Sequence, residues 1–313
     1  MANVAAGTVW NLPNYTGELF TSDVKATPFL SMIGGLTGGM MTDNFEFATS
    51  SQYNHETAAQ PAITETASLT APTAISYVRG QDKNVTQIFQ ETVSISYAKM
   101  SNSGRLTGIN TAGASNNAPS EKDFQIAMAL EKIARDAEYT FLNGVYAIAA
   151  NAGQANKTRG MIALCTVNTV DANAVKLKKE LMDELLLEMF TNGAQFKDMV
   201  LFCGGFQKQL LSTIYGYAPS DRNVGGVNIK QIETDFGNIG VADPHRFMPA
   251  STIGIFDMSV VAPVFQPVPE KGNLFYEELS KVGASESGMI FGQMGLAHGP
   301  SFMHGTITNL AIV

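Results

Sequence analysis

Residues 84–97 read NVTQIFQETVSISY, and the fold follows from how this stretch is read. Val85, Phe89, Val93, Ile95 and Tyr97 share one parity with Gln87 and Glu91, while the other parity is mostly Thr, Ser and Gln. Side chains alternate between the faces of a strand, so the pattern predicts a strand from Asn84 to Tyr97 with one wet face. Upstream, Asp43 to Asn84 is polar, rich in Thr, Ala and Gln, broken by Pro61 and Pro72, and without helical period. So long an irregular excursion needs a physical reason. A second strand pattern, Asn44-Phe-Glu-Phe-Ala48, stands at its start. The two patterns together predict a two-stranded loop reaching out of the body. An isolated ribbon is marginal in water, so this one is expected to lie on a neighbouring subunit.

Before the ribbon, residues 1–42 read as an irregular arm with one short apolar segment, Thr27-Pro-Phe-Leu-Ser-Met-Ile-Gly34, able to dock. The doublets Gly34-Gly35 and Gly38-Gly39 break any helix there. After the ribbon, Ser120-x-x-Asp123 resembles a capping box, and Ile126, Leu130, Ile133, Ala134, Ala137 and Phe141 recur at helical spacing until Asn143-Gly144 stops the run. A helix over 120–143 is predicted, a rod of roughly 36 Å. A second helix is expected from a cap at Asp171 to Asn192. Its broad apolar face, Leu177, Leu181, Met182, Leu185, Leu186, Met189 and Phe190, implies packing on more than one side. Met199-Val-Leu-Phe-Cys203 then reads as a buried strand, followed by a helix from Gln207 to Tyr215. From Asn228 onwards strands are expected at 228–233, 240–242, 252–256, 260–264, 274–282, 288–296 and 306–313. The sum is an α+β chain.

Composition narrows the function. Charged residues make up 15% of the sequence, against about 25% in ordinary soluble domains. A surface so poor in charge is a solubility risk for a solitary monomer, which implies that partners cover much of it. The net charge is -8 and the 20 basic residues are scattered apart from Lys176, Lys178 and Lys179. Sequence-specific duplex binding wants a clustered basic face, so any contact with nucleic acid is expected to be weak and non-specific. No window reaches the ~18 uncharged apolar residues of a transmembrane helix, and MANVAAGTVW lacks the features of a secretory signal.

Catalytic signatures are poor throughout. Cys165 and Cys203 sit in apolar runs and read as buried thiols, with a disulfide or a nucleophile as the other readings. Among the four histidines, His55, His245, His298 and His304, none forms a ligand pair at helical spacing, and they read as turn or surface residues. Gly283-Ala-Ser285-Glu-Ser287 fails as a nucleophile elbow at its last position and reads as a turn between strands. Gly34-Gly-Leu-Thr-Gly-Gly39 lacks the Lys of a phosphate loop, and Gly204-Gly205 is a lone doublet. Glu180, Asp183, Glu184 and Glu188 read as a solvated helix face. No catalytic, cofactor-binding or metal-binding residue is assigned, and no cofactor is expected.

Segments in order along nearly the whole chain carry a likeness: Thr27 to Ile33, Asn84-x-Thr-Gln-Ile-Phe89, the 120–143 helix with Glu131 and Glu138, Thr158-Arg-Gly160, Met199 to Tyr217, Glu233-Thr-Asp-Phe-Gly237, Arg246-Phe-Met-Pro249, Ala297-His-Gly-Pro and His304 to Leu310. Together they resemble the major capsid proteins of tailed bacteriophages in the Hong Kong 97 fold, and among these the SU-ten-like major head proteins. One departure is the absence of a tryptophan near Phe45 to Phe47; the sole tryptophan is Trp10.

The resemblance implies an N-terminal arm (1–42), an extended β-ribbon loop (43–98), a peripheral domain (99–168) with a spine helix at 120–143, an axial domain (169–268) and return strands (269–313). It implies a structural shell subunit without enzymatic activity, assembling with itself into pentamers and hexamers around packaged double-stranded DNA in a virion built in the host bacterial cytoplasm. Portal, scaffold and cement or decoration proteins are the further partners it suggests. A tail-tube or decoration protein is the alternative; tube proteins are usually smaller and lack so long a helix.

Overall fold

The computed structural model describes residues 26–53, 58–98, 121–215, 218–224, 227–242 and 245–312. Chain order begins with α1 (Pro28–Met32), β1 (Met40–Met41), β2 (Glu46–Tyr53), α2 (Glu65–Ser68), β3 (Arg79–Val85) and β4 (Gln87–Ser96). It continues with α3 (Glu121–Asn143), α4 (Met161–Leu164), β5 (Thr169–Asp171), α5 (Lys179–Thr191), β6 (Met199–Cys203) and α6 (Gly205–Tyr215). The remainder is β-rich: β7 (Ala218–Val224), β8 (Val227–Thr234), β9 (Gly237–Val241), β10 (Ile253–Asp257), β11 (Ala262–Phe265), β12 (Leu274–Glu278), β13 (Ser285–Ala297) and β14 (Gly305–Thr308). Trp10, His55, the expected cap at Ser120 and residues 1–25 of the arm lie outside the described residues.

The stretch from Asn84 to Tyr97 divides at Thr86. β3 pairs antiparallel with β2 from Glu46↔Val85 to Tyr53↔Arg79, forming the two-stranded ribbon. β4 instead pairs with β13 over Gln87 to Ser96 and joins a five-stranded sheet. The expected single strand is therefore two, because the backbone changes partner. Thr86 N–H donates to Phe45 O at 2.8 Å, and its hydroxyl donates to Gln266 Oε1 at 2.8 Å. The alternation itself persists: Val85, Phe89, Val93 and Ile95 are buried, while Ile88, Gln90, Thr92, Ser94 and Ser96 are exposed. Tyr97 falls beyond the strand and is exposed.

β13 organises this sheet. It carries β4 along one edge and, in succession, β12 and β11 along the other, with β1 parallel to β11 at the margin. A seven-stranded mixed sheet runs in the order β5-β14-β10-β6-β9-β8-β7. β6 is apolar and β10 is apolar as far as Asp257, and both are buried along their whole length, which follows from being covered on both faces. Their alternation feeds two cores. Val200, Phe202 and Phe256 join α1, α3 and α4 on one side, whereas Leu201, Cys203, Ile253 and Ile255 join α5 on the other.

α3 buries Ile133, Ala137, Phe141 and Leu142, but Leu130 is exposed, so the apolar stripe is covered mainly in its C-terminal half. Gly144 ends the helix by close approach. A Cβ there would lie 2.5 Å from both Thr140 O and Thr158 O, and one at Gly160 would lie 2.6 Å from Gly144 N. The Asn143-Gly144 stop and the Thr158-Arg-Gly160 turn are thus two halves of one packing contact.

α5 is shorter than the helix its sequence predicts from Asp171 to Asn192. Asp171 does not cap it; its Oδ1 accepts from Asn173 N–H at 2.8 Å, and Asn173 and Ala174 take φ of 49° and 59°. The chain makes a turn at that point and the helix starts at Lys179. Met182, Leu185, Leu186 and Met189 form one buried face, while Leu187 and Phe190 are exposed, so the helix packs on one side within this chain. β1, β5 and β7 had no counterpart in the sequence reading, and β12 ends at Glu278, short of Val282.

Candidate functional site

The ribbon is fastened at its root and bare along its reach. Asn84, fully buried, donates from Nδ2 to Leu296 O (2.8 Å) and Arg159 O (3.2 Å), while its Oδ1 accepts from Arg159 N–H (2.7 Å) and Val85 N–H (2.9 Å). The amide's acceptor and donor are both satisfied, which makes this side chain a rivet between ribbon and body. Gly295 lies beneath it, and a Cβ there would meet the Phe47 ring at 2.8 Å and Val85 O at 2.9 Å. Farther out, Asp82 Oδ2 accepts from Gln52 Nε2 (2.6 Å) and Ser50 Oγ (3.2 Å), and a bulge between Ala48 and Ser50 bends the strand.

Beyond that point every described residue from 58 to 81 is exposed. The tip carries α2, capped where Thr64 Oγ1 accepts from Ala67 N–H, together with Ile63, Leu69, Ile75, Tyr77 and Val78. Leu69 and Val78 are 84% and 80% exposed, a heavy apolar load for a segment with no core beneath it.

The buried ionisable groups serve the fold. Glu138, on the buried face of α3, accepts from Phe29 N–H at Oε1 (2.8 Å) and from Leu30 N–H at Oε2 (2.6 Å). It thereby satisfies first-turn donors of α1, whose Phe29 and Leu30 are buried in the core. His245 Nε2 lies 2.5 Å from Glu138 Oε1, and its Nδ1 accepts from Phe247 N–H at 3.0 Å. The apolar segment at Thr27 to Gly34 is therefore docked on its own chain, by a carboxylate that no sequence motif marks as an anchor. The available signal was an acid set within the apolar stripe of α3.

His298 and His304, read from the sequence as turn or surface residues, are both fully buried. His304 Nε2 donates to His298 O at 2.7 Å, and its Nδ1 accepts from Asp257 N–H at 3.2 Å. Burial holds the His304 imidazole down at about 4, and burial likewise lowers His298. Neither ring is presented to solvent.

Cys203 and His245 are joined through the backbone. His245 N–H donates to Cys203 O at 2.9 Å, yet both nitrogens of its ring are already engaged. Burial pushes the Cys203 thiol up to about 12 and raises Cys165 as well, so both stay protonated and inert. Ser285 opens β13 and its hydroxyl donates to Val282 O at 3.2 Å. Among the described residues no group of three or more His, Cys, Asp or Glu is placed to hold a metal ion, and no helix is long and apolar enough to cross a membrane.

A family model described as the SU10 major capsid protein matches residues 2–311 of the chain. The fold is similar to the capsid of cyanophage A-1(L), at 12% identity and a TM-score of 0.65 over 95% of this chain and 96% of that one. It is similar to the capsid of a native GTA particle, at 11% identity and a TM-score of 0.58 over 98% of both chains. It also resembles the encapsulin of the holo-SrpI complex from Synechococcus elongatus PCC 7942, at 10% identity and a TM-score of 0.57 over 96% and 94%. No curated protein sequence matches the chain. At such identities the likeness concerns the fold, which is the Hong Kong 97 capsid fold.

Proposed function

The chain belongs to the SU10 major capsid protein family, structural proteins of phage head shells, and on that premise we propose that its work is done by the ribbon clasping a neighbouring copy. The supporting observation is the contrast between the riveted root at Asn84 and the exposed apolar tip from Ile63 to Val78. A ribbon without a core stays ordered only when a second surface covers it. On a neighbour, each buried apolar side chain contributes about 1.5–3 kcal/mol. Assembly would then supply the burial that the monomer lacks.

In this reading residues 1–42 form an arm, 43–98 the extended loop, 99–168 with the 120–143 helix a peripheral domain, 169–268 an axial domain, and 269–313 the strands returning to the peripheral one. Copies tile as pentamers and hexamers in a virion assembled in the host bacterial cytoplasm. The low charge suits a tile with covered edges, and the net charge of -8 suits an inner wall that touches packaged double-stranded DNA weakly and without sequence preference. Portal, scaffold and cement proteins are the expected further partners. No catalytic step or bound cofactor enters this account.

Deleting Gln52 to Val78 tests the reading. The body, with both cores intact, is expected to stay soluble and folded by circular dichroism while failing to form stable particles in negative-stain micrographs. Normal particles from the deleted protein would refute it.

A further inference from the structure

Among the described residues, the chain passes twice from a strand of one large sheet straight to a strand of the other. One crossing runs from β10 to β11 through a short helical turn at Met258–Val260, and the other from β13 to β14 through a turn at Ser301–Met303. The two crossings lie against each other. A Cβ at Gly299, in the second, would stand 2.6 Å from Val260 Cγ2 in the first, and Gly299 has a φ of 66°. An L side chain is excluded there by the contact and by the backbone conformation alike. The sheets are thus joined at one place by two adjacent links.

A histidine ties these links together. The β10–β14 ladder ends at Ile255↔Gly305, and beyond it Asp257 N–H donates to His304 Nδ1 at 3.2 Å in place of a strand carbonyl. His304 Nε2–H donates to His298 O at 2.7 Å, and His298 Nδ1–H donates to Gly299 O at 2.8 Å. An imidazole that accepts at one nitrogen and donates at the other is held neutral by its partners. A proton on Nδ1 would set one N–H against another and break the bond to Asp257. The same link holds a place for the charged ring. Asp257 Oδ1 is taken by Ser259 N–H (2.9 Å) and the Ser259 hydroxyl (2.6 Å), whereas Asp257 Oδ2 is buried without a partner. The charged and titratable groups that bear on His304 are Asp257 and His298, and those that bear on His298 are Arg159, before α4, and Asp82, on the ribbon.

We propose that the paired crossings form an acid-sensitive joint between the two sheets: a second proton moves His304 from Asp257 N–H to Asp257 Oδ2 and loosens both links. Each sheet keeps its own ladders, so the loosening stays local. Asn168 donates from Nδ2 to Phe302 O and His304 O, each at 2.8 Å, and as an amide it does not titrate. It keeps the second crossing at the edge of the seven-stranded sheet while the joint opens. The inference concerns a single subunit and does not depend on the shell reading.

Hydrogen exchange of the purified full-length chain, read by mass spectrometry from pH 7 to pH 5 and corrected for intrinsic rates, tests the joint. His304 is held near 4 in the closed form against 6.5 when free, so falling pH favours the opened form. With those two values, opening of residues 257–262 and 298–305 is expected to rise about twentyfold over that range. Both segments should open together and close again on return to pH 7, while α3, β6 and the ribbon root at Asn84 keep their protection. His304→Gln retains an acceptor for Asp257 N–H and a donor for His298 O but takes no proton. Its melting temperature at pH 7 is expected to match the wild type, and most of the rise is expected to vanish. The wild-type measurement decides by itself should the variant fail to fold. An unchanged rise in His304→Gln, segments that open independently or not at all in the wild type, or loss of protection throughout the chain at the same pH would overturn the proposal.

Discussion

Replacing Glu138 by Gln should loosen α1 (Pro28–Met32) from the body. The carboxylate accepts three hydrogen bonds, from Phe29 N–H, Leu30 N–H and His245 Nε2, and its side chain is fully buried. Gln keeps the volume but has one acceptor oxygen. With that oxygen retained toward Phe29 and His245, the new amide N–H₂ faces the Leu30 N–H, so one bond is lost and two donors oppose each other. Hydrogen bonds to charged groups are each worth about 1.5–3 kcal/mol, and removing one partner from a buried network costs about 3–5 kcal/mol. A destabilisation of about 2–4 kcal/mol is expected, between those bounds because the remaining oxygen still serves two donors. Urea unfolding of the dissociated subunit, followed by tryptic digestion to see whether cleavage near α1 precedes global unfolding, measures it. The coupling to His245→Ala in a double-mutant cycle should exceed about 1 kcal/mol, as expected for groups in one network. A loss below about 0.5 kcal/mol, the range of ordinary surface substitutions, or the absence of coupling, would refute the reasoning that Glu138 anchors α1.

Two further outcomes follow from the packing and the buried imidazoles. Gly160→Ala places a Cβ 2.6 Å from Gly144 N and 2.8 Å from Leu142 C, both backbone, so the loop cannot yield by a rotamer change; a loss of about 1–3 kcal/mol in urea unfolding is expected. His304 is held near 4 in the folded chain against 6.5 when free, so below 6.5 the unfolded chain binds the proton first. Its neutral form is therefore fully accommodated above pH 6.5, and stability falls as pH drops from there to about 4, by about 3 kcal/mol in all. His304→Gln should flatten that part of the pH dependence of unfolding, and an unchanged slope would show that His304 does not set it.

Where physics acts locally, the sequence was legible. Met199 to Cys203 is a strand to the residue, since five consecutive apolar side chains admit little else between turn signals. The alternation from Val85 to Ile95 likewise reports its buried face faithfully. The change of partner at Thr86 was not legible, because it depends on Phe45 and Gln266, distant in sequence. Asp171 misled because an Asx turn and a helix cap use the same oxygen accepting from a backbone N–H nearby. Leu177 widened the apparent apolar face of α5, but it is buried from the segment before the helix begins. Glu138 and His245 are far apart in sequence, and only the fold shows that their meeting satisfies α1. The burial of His298 and His304, which read in the sequence as turn or surface residues, is hidden for the same reason: their partners are backbone groups brought in by tertiary contact.

The central claim is that this chain is a shell subunit whose riveted ribbon is ordered by a second copy. Electron microscopy of the purified, assembled protein tests it most directly. The account predicts closed particles of pentamers and hexamers in which residues 58–81 lie on an adjacent subunit. Open stacks of rings, or particles in which that segment touches only its own chain, would contradict it.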